Sequence, residues 1–139
     1  MSGALDGCRV VVCRSVEQSG PLLSALRAAG ARPLPLPLIE VAPPVDGGSA
    51  LEAAVDELAR YRWVVLTSSN GVRAVAGALG GRPWPPGVQV ATVGPATTAA
   101  CGEAGILVAL ARPGGTAVDL AAAMPAPPAG GGSVLLPAA

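Results

Sequence analysis

The stretch WVVLTSSNGV (63–72) runs an apolar segment directly into Thr67, Ser68, Ser69 and Asn70. A helix start needs one capping residue, so four small polar side chains exceed what the turn requires. Two other turns have a similar make-up: VGPATT (93–98), with Gly94 and Thr97, and RPGGTA (112–117), with Gly115 and Thr116. Each puts a hydroxyl or a glycine at an expected helix start, where unpaired N–H groups and the helix dipole favour an anion. Such chemistry holds a carboxylate or phosphate rather than breaking a bond. The structural alternative is that Ser69 or Asn70, Thr97 and Thr116 only cap their helices. Arg14, directly after the run VVVC, is a further candidate, either as an anion ligand or as a surface side chain.

Composition narrows the chemistry. The 139 residues contain no His, and nine basic residues, all Arg, balance nine acids to a formal charge of zero. The usual near-neutral proton shuttle and commonest metal ligand is therefore missing. A neutral chain whose aromatics are Tyr61, Trp63 and Trp84 lacks both the electrostatic footprint and the stacking platforms of a nucleic-acid binder. Glu17, Glu52, Asp56, Glu57, Glu103 and Asp119 fall on expected helices as solvated acids, and no catalytic pair stands out. Cys8, Cys13 and Cys101 form no C-x-x-C; the first two point to opposite faces of a strand, and all three read as reduced thiols of a cytosolic protein. No metal site is expected. Asp6 interrupts any signal-peptide core, and Pro and Gly interrupt the long uncharged stretches, so a soluble, cytoplasmic protein is expected, with no membrane segment. Neither G-x-G-x-x-G nor G-x-x-x-x-G-K-[ST] occurs, leaving a nucleotide cofactor unsupported.

Apolar runs alternating with helical patterns position these turns. Parallel strands are expected near 8–13, 63–67, 88–93, 106–110 and 133–136, with helices between them; Gly30 would cap the first helix and Ser49 the second, in a capping box with Glu52. Leu22, Leu23 and Leu26 mark one helix face, and Leu51, Val55 and Leu58 another. The fold class is α/β: a doubly wound parallel sheet, flavodoxin-like. In such sheets ligands sit beyond the carboxyl ends of the strands. ARPLPLPLIEVAPP (31–44) is different. Pro33, Pro35 and Pro37 remove donors from one side of an extended chain, so this segment is expected to lie outside the main sheet, as an edge strand or a stiff connector.

The order of motifs resembles the uroporphyrinogen-III synthase family, HemD-type. It is carried by Arg14 with Gln18, the Pro-rich segment from Pro33 to Ile39, the Thr67–Val72 turn, and Val93 to Thr97. Cys13 and Ser15 stand where Thr and Pro are common in that family. The resemblance implies two α/β domains joined by a two-stranded ladder, with the active site in the cleft between them. Residues 1–38 would be the N-terminal part of the first domain plus the connector, and 39–139 most of the second. It further implies a cyclising hydro-lyase of haem biosynthesis that converts hydroxymethylbilane to uroporphyrinogen III, with ring D inverted and water lost, using no cofactor. Arg14, Thr67, Ser68, Ser69, Asn70, Gly94, Thr97, Gly115 and Thr116 would then bind this small-molecule tetrapyrrole, and no catalytic acid or base is identified. The family's chain continues past VLLPAA and places its water-eliminating Tyr there, a position Tyr61 does not occupy. The expectation is accordingly a chain that is inactive alone and that self-associates or is only marginally stable, where the family suggests a monomer. The alternatives are a non-catalytic, synthase-like tetrapyrrole- or anion-binding module, and a flavodoxin-like domain for some other anion.

Overall fold

The computed structural model describes residues 3–137. Contacts divide the chain into two compact units, Met1–Pro44 and Val45–Ala139.

In the first unit, β1 (Arg9–Val12) leads through α1 (Val16–Ala28) to β2 (Arg32–Pro35), which lies parallel to β1. α1 stops in a double hydrogen-bonded closure: Gly30 N–H donates to Arg27 and Ala31 N–H to Leu26, both at 3.0 Å. Gly30 adopts φ +90, and a Cβ there would lie 3.0 Å from the Asp6 backbone, so glycine meets both the turn and the close approach. Val12 is buried and Val10 half-buried, whereas Arg9 and Val11 are exposed. On the helix, Leu23 and Leu26 are half-buried and Leu22 is exposed, so the expected leucine face is only partly covered.

β1 was expected in the same sheet as the later strands. It instead pairs with β2 in a sheet of its own. The proline argument explains where β2 can stand. Arg32 N–H donates to Cys8 at 2.7 Å and Leu36 N–H to Val12 at 2.9 Å, so the even-numbered residues of β2 face β1. Strand groups alternate in direction, and Pro33, Pro35 and Pro37 therefore face away, where a missing donor costs nothing. Beyond β2, residues 36–44 form no regular element and are exposed.

The second unit runs α2 (Ser49–Asp56), a 3-10 turn (Leu58–Arg60), β3 (Tyr61–Leu66), α3 (Ser69–Leu79), β4 (Gln89–Val93), α4 (Pro95–Glu103), β5 (Leu110–Arg112), α5 (Ala117–Ala123) and β6 (Ser133–Leu135). The four strands are parallel in the order β5-β4-β3-β6. Alternation along β3 builds two cores. Val64 and Leu66, with Val90, pack among Val55, Leu58, Val72, Val75, Leu79 and Cys101, while Trp63 and Val65, with Ala91, pack against Leu120 of α5. Helices thus cover both faces, as a parallel sheet requires. The chain is α/β and doubly wound.

Two boundaries differ from expectation. Ser49 is not the cap of α2. Gly48 takes that position at φ +93, and the Asp46 carboxylate accepts from Gly48 N–H at 3.0 Å and Ala50 N–H at 2.9 Å. The run ILVALAR does not begin as a strand either. Ile106 N–H donates to Cys101 at 2.8 Å and Gly105 N–H to Gly102 at 3.1 Å, closing α4, and Ile106 drops into the core. Leu107 is left exposed, and regular pairing starts only at Leu110.

Candidate functional site

β3, β4 and β5 are adjacent and parallel, so their carboxyl ends share one edge of the sheet. Leu66 is level with Thr92, and Val93 with Arg112. The three turns singled out in the sequence follow these ends directly. Strand order reverses at β3, where β4 lies on one side and β6 on the other, and this is where open α/β sheets form a crevice.

At the end of β3, Thr67 is exposed and Ser68 caps α3. Ser68 sits in extended conformation (φ −147, ψ 151), and its Oγ accepts from Gly71 N–H at 3.0 Å. Ser69 and Asn70 are not the cap but the first two residues of the helix. Arg73 donates to Asn70 Oδ1 at 2.9 Å, which brings a guanidinium to the first turn of α3. Arg73 was not among the sequence candidates. Its signal was the i, i+3 spacing from Asn70, which puts both on one helical face.

At the end of β4, Gly94 caps α4 at φ +85, ψ 144, and Pro95 fills the first helical position, where no N–H is needed. Thr97 is 4% exposed, with its Oγ1 3.9 Å from where a Cβ on Gly94 would stand. The turn is held from two sides. Gly94 N–H donates to Arg112 O at 3.0 Å, and Thr98 Oγ1 donates to Gly94 O at 3.2 Å.

The third turn is built differently. Thr116 and Asp119 form a reciprocal capping box: Asp119 N–H donates to Thr116 Oγ1 at 3.2 Å, while the Asp119 carboxylate accepts from Thr116 N–H at 2.7 Å and from its hydroxyl at 2.8 Å. These bonds, the backbone one foremost, hold the Asp119 carboxyl below the usual carboxylate range, with Arg112 adding a favourable charge. The chain's own carboxylate therefore occupies the start of α5. Gly115 leaves little room there, since a Cβ would meet that of Arg112 at 3.2 Å and that of Asp119 at 3.3 Å.

Arg14 follows β1 in the other unit, and its guanidinium donates to Gln18 Oε1 at 3.4 Å. An open hollow lined by Ala50, Ala53, Asp56, Glu57 and Tyr61 lies at the amino end of β3, away from the turns. Among the described residues no cluster of His, Cys, Asp or Glu could hold a metal ion, and no helix is long and apolar enough to cross a membrane. The shifted acids and thiol offer no proton-transfer group at the strand ends. Asp46 and Asp119 serve helix starts, and burial pushes the Cys101 thiol up within the core.

The family model of uroporphyrinogen-III synthase HemD matches residues 21–139, which include all three turns. The chain belongs to the uroporphyrinogen-III synthase family. It is 33% identical over 111 residues to the porphyrin biosynthesis protein HemD of Ruminiclostridium josui, covering 77% of this chain and 22% of that protein. It is 37% identical over 71 residues to the uroporphyrinogen-III synthase of Synechococcus elongatus, covering 51% of this chain and 26% of that protein. The chain thus spans about a quarter of the length of these two curated relatives.

Proposed function

We propose that this chain carries the substrate-holding edge of a uroporphyrinogen-III synthase. The family's reaction closes hydroxymethylbilane, a linear tetrapyrrole with eight carboxylates, to uroporphyrinogen III. The observation that carries this reading is the juxtaposition of the Ser68 and Thr97 turns at the carboxyl ends of neighbouring strands, with Arg73 beside the first. Helix-start N–H groups and hydroxyls there are suited to carboxylates without a broad basic patch. Thr67, Ser68, Ser69, Asn70, Gly94 and Thr97 are positioning groups in this reading; Arg14, considered within the first unit by itself, is read as an anion ligand. Gly115 and Thr116 shape the neighbouring wall, since Asp119 already holds the Thr116 donors.

The chain's chemical contribution is geometric. Holding the two ends of a flexible linear substrate together removes conformational entropy that ring closure would otherwise cost. Incubation of the 139-residue chain with hydroxymethylbilane, resolving isomer III from spontaneously formed isomer I, tests turnover. Equilibrium titration with the octacarboxylate uroporphyrin tests holding. Binding that Thr97→Val weakens at unchanged stability supports the reading; absence of any binding overturns it.

A further inference from the structure

Two successive threonines at the start of α4 behave in opposite ways. Thr98 is fully engaged. Its hydroxyl donates to Gly94 O at 3.2 Å, which uses its one proton, so the 2.8 Å contact with Thr92 Oγ1 is a bond that Thr92 donates. The donors therefore run from Thr92, fully buried on β4, through Thr98 to the Gly94 carbonyl. Thr97 is 4% exposed, yet its Oγ1 has no hydrogen-bond partner among the described residues. Among those residues Ser15 Oγ is the one unpartnered side-chain atom that is wholly enclosed, so the little of Thr97 that reaches solvent includes its hydroxyl oxygen. Backbone donors lie beside it. Pro95 has no N–H, Gly94 N–H is taken by Arg112 O and Thr98 N–H by Gly94 O, which leaves Ala96 and Thr97 N–H without intrahelical partners.

We propose that Thr98, anchored by Thr92, is a positioning residue that sets Thr97 Oγ1 and the Ala96 and Thr97 N–H groups to receive a substrate carboxylate. The role rests on the reading of this turn as a tetrapyrrole-holding one. Thr97 and Thr98 are neighbours on one helix, so turning or sliding α4 against β4 displaces both. Apolar contacts are non-directional, whereas a hydroxyl pair fixes both distance and angle. Groups that bind a ligand must be held within about 0.5 Å of their productive places. Among the described residues, no other side-chain hydrogen bond joins α4 to the sheet. Back-bonding of a threonine to the carbonyl one turn earlier is a local habit of helices. The bond from Thr92 is what adds the tie to the strand.

The test is equilibrium titration of uroporphyrin into the full chain and its variants, with urea unfolding of each. Thr98→Ser keeps the hydroxyl and is expected to bind as the parent does. Thr98→Val is expected to weaken binding about fivefold. The pair Thr92→Val with Thr98→Val is the discriminating variant. Its stability should return towards the parent's, since both partners are then apolar, while its binding stays about fivefold weak. A role confined to the fold predicts instead that binding returns with stability. Adding Thr97→Val to Thr98→Val should weaken binding by less than the product of the single effects, because Thr98 acts through Thr97. Parent-like binding by Thr98→Val or by the paired variant, beside weakened binding by Thr97→Val, would overturn this role and leave the tetrapyrrole reading standing. Binding by Thr98→Ser as weak as that of Thr98→Val would overturn it too. Absence of binding by the parent chain would overturn both.

Discussion

The hydroxyls of Thr92 and Thr98 meet at 2.8 Å, tying the buried end of β4 to α4 across the Gly94 turn. Thr92 is fully buried, and this is its side chain's hydrogen bond. Thr98→Val is expected to leave that hydroxyl unsatisfied and to cost about 1–3 kcal/mol. Thr92→Val with Thr98→Val should recover most of the loss, because both partners then become apolar. Urea unfolding of the two singles and the double, read as a double-mutant cycle, measures the coupling.

Ser68→Ala and Thr97→Val separate capping from ligand holding. Ser68 Oγ accepts from Gly71 N–H, so its loss should cost about 1 kcal/mol as a cap in addition to any effect on binding. Thr97→Val keeps the side-chain shape at a buried position and should leave the melting temperature within a degree or two of the parent while weakening tetrapyrrole binding. Thermal melts alongside uroporphyrin titrations distinguish these outcomes. Unchanged binding in both variants would mean that the turns serve the fold alone.

Gly94→Ala should destabilise even though space is available. The nearest atom to an added Cβ is Thr97 Oγ1 at 3.9 Å, but φ +85 with ψ 144 is a conformation that residues with a side chain avoid. A cost of about 1–3 kcal/mol is expected. Chemical denaturation checks it, and a neutral effect would show that the turn relaxes.

The α5 capping box should lose its contribution in acid. The folded-state value of Asp119 is depressed below its ordinary 3.8, so its stabilisation is complete above that pH and is lost as pH falls through the depressed value. Asp46, whose carboxylate accepts chiefly from Ala50 and Gly48, acts in the same direction. Asp119→Asn should make stability less dependent on pH below 3.8. Helicity followed against pH in both proteins tests the sign.

Arg9 and Arg32 are register partners on β1 and β2, and neither takes part in an ion pair among the described residues. Arg32→Glu converts like charges side by side into an opposite pair and should stabilise the first unit by about 0.2–1 kcal/mol. Amide protection in β1 reads this out.

Much of this was legible from residue order because its causes are local. The prolines of β2 announce their own outward side, and Val64/Leu66 against Trp63/Val65 announces a strand covered twice. The misses have a common origin in competition between neighbouring motifs. Ile106 carries a strand-former's side chain, but Gly105 before it reverses the chain, and closure of α4 claims the Ile106 N–H first. Ser49 resembles a cap, yet Asp46 reaches the same helix start with a charged acceptor. For the site, hydroxyl turns could be placed from sequence, whereas the self-capping of Thr116 and the approach of Arg73 to Asn70 depend on side-chain rotamers that spacing alone does not specify.

The two cores flanking the four-stranded sheet each contain one tryptophan: Trp63 on the α5 side, and Trp84 packed against the side of α2, α3 and α4. Trp84 Nε1 donates to Val88 O at 2.9 Å, while Trp63 is 5% exposed among apolar neighbours. Intrinsic fluorescence of single-tryptophan variants should therefore report the two layers separately, through distinct emission maxima and quencher access. The first unit contains no tryptophan or tyrosine at all. Its unfolding gives no intrinsic aromatic absorbance or fluorescence signal, so a fluorescence melt would miss it unless a probe were attached at Cys8 or Cys13, the two exposed thiols on either side of β1.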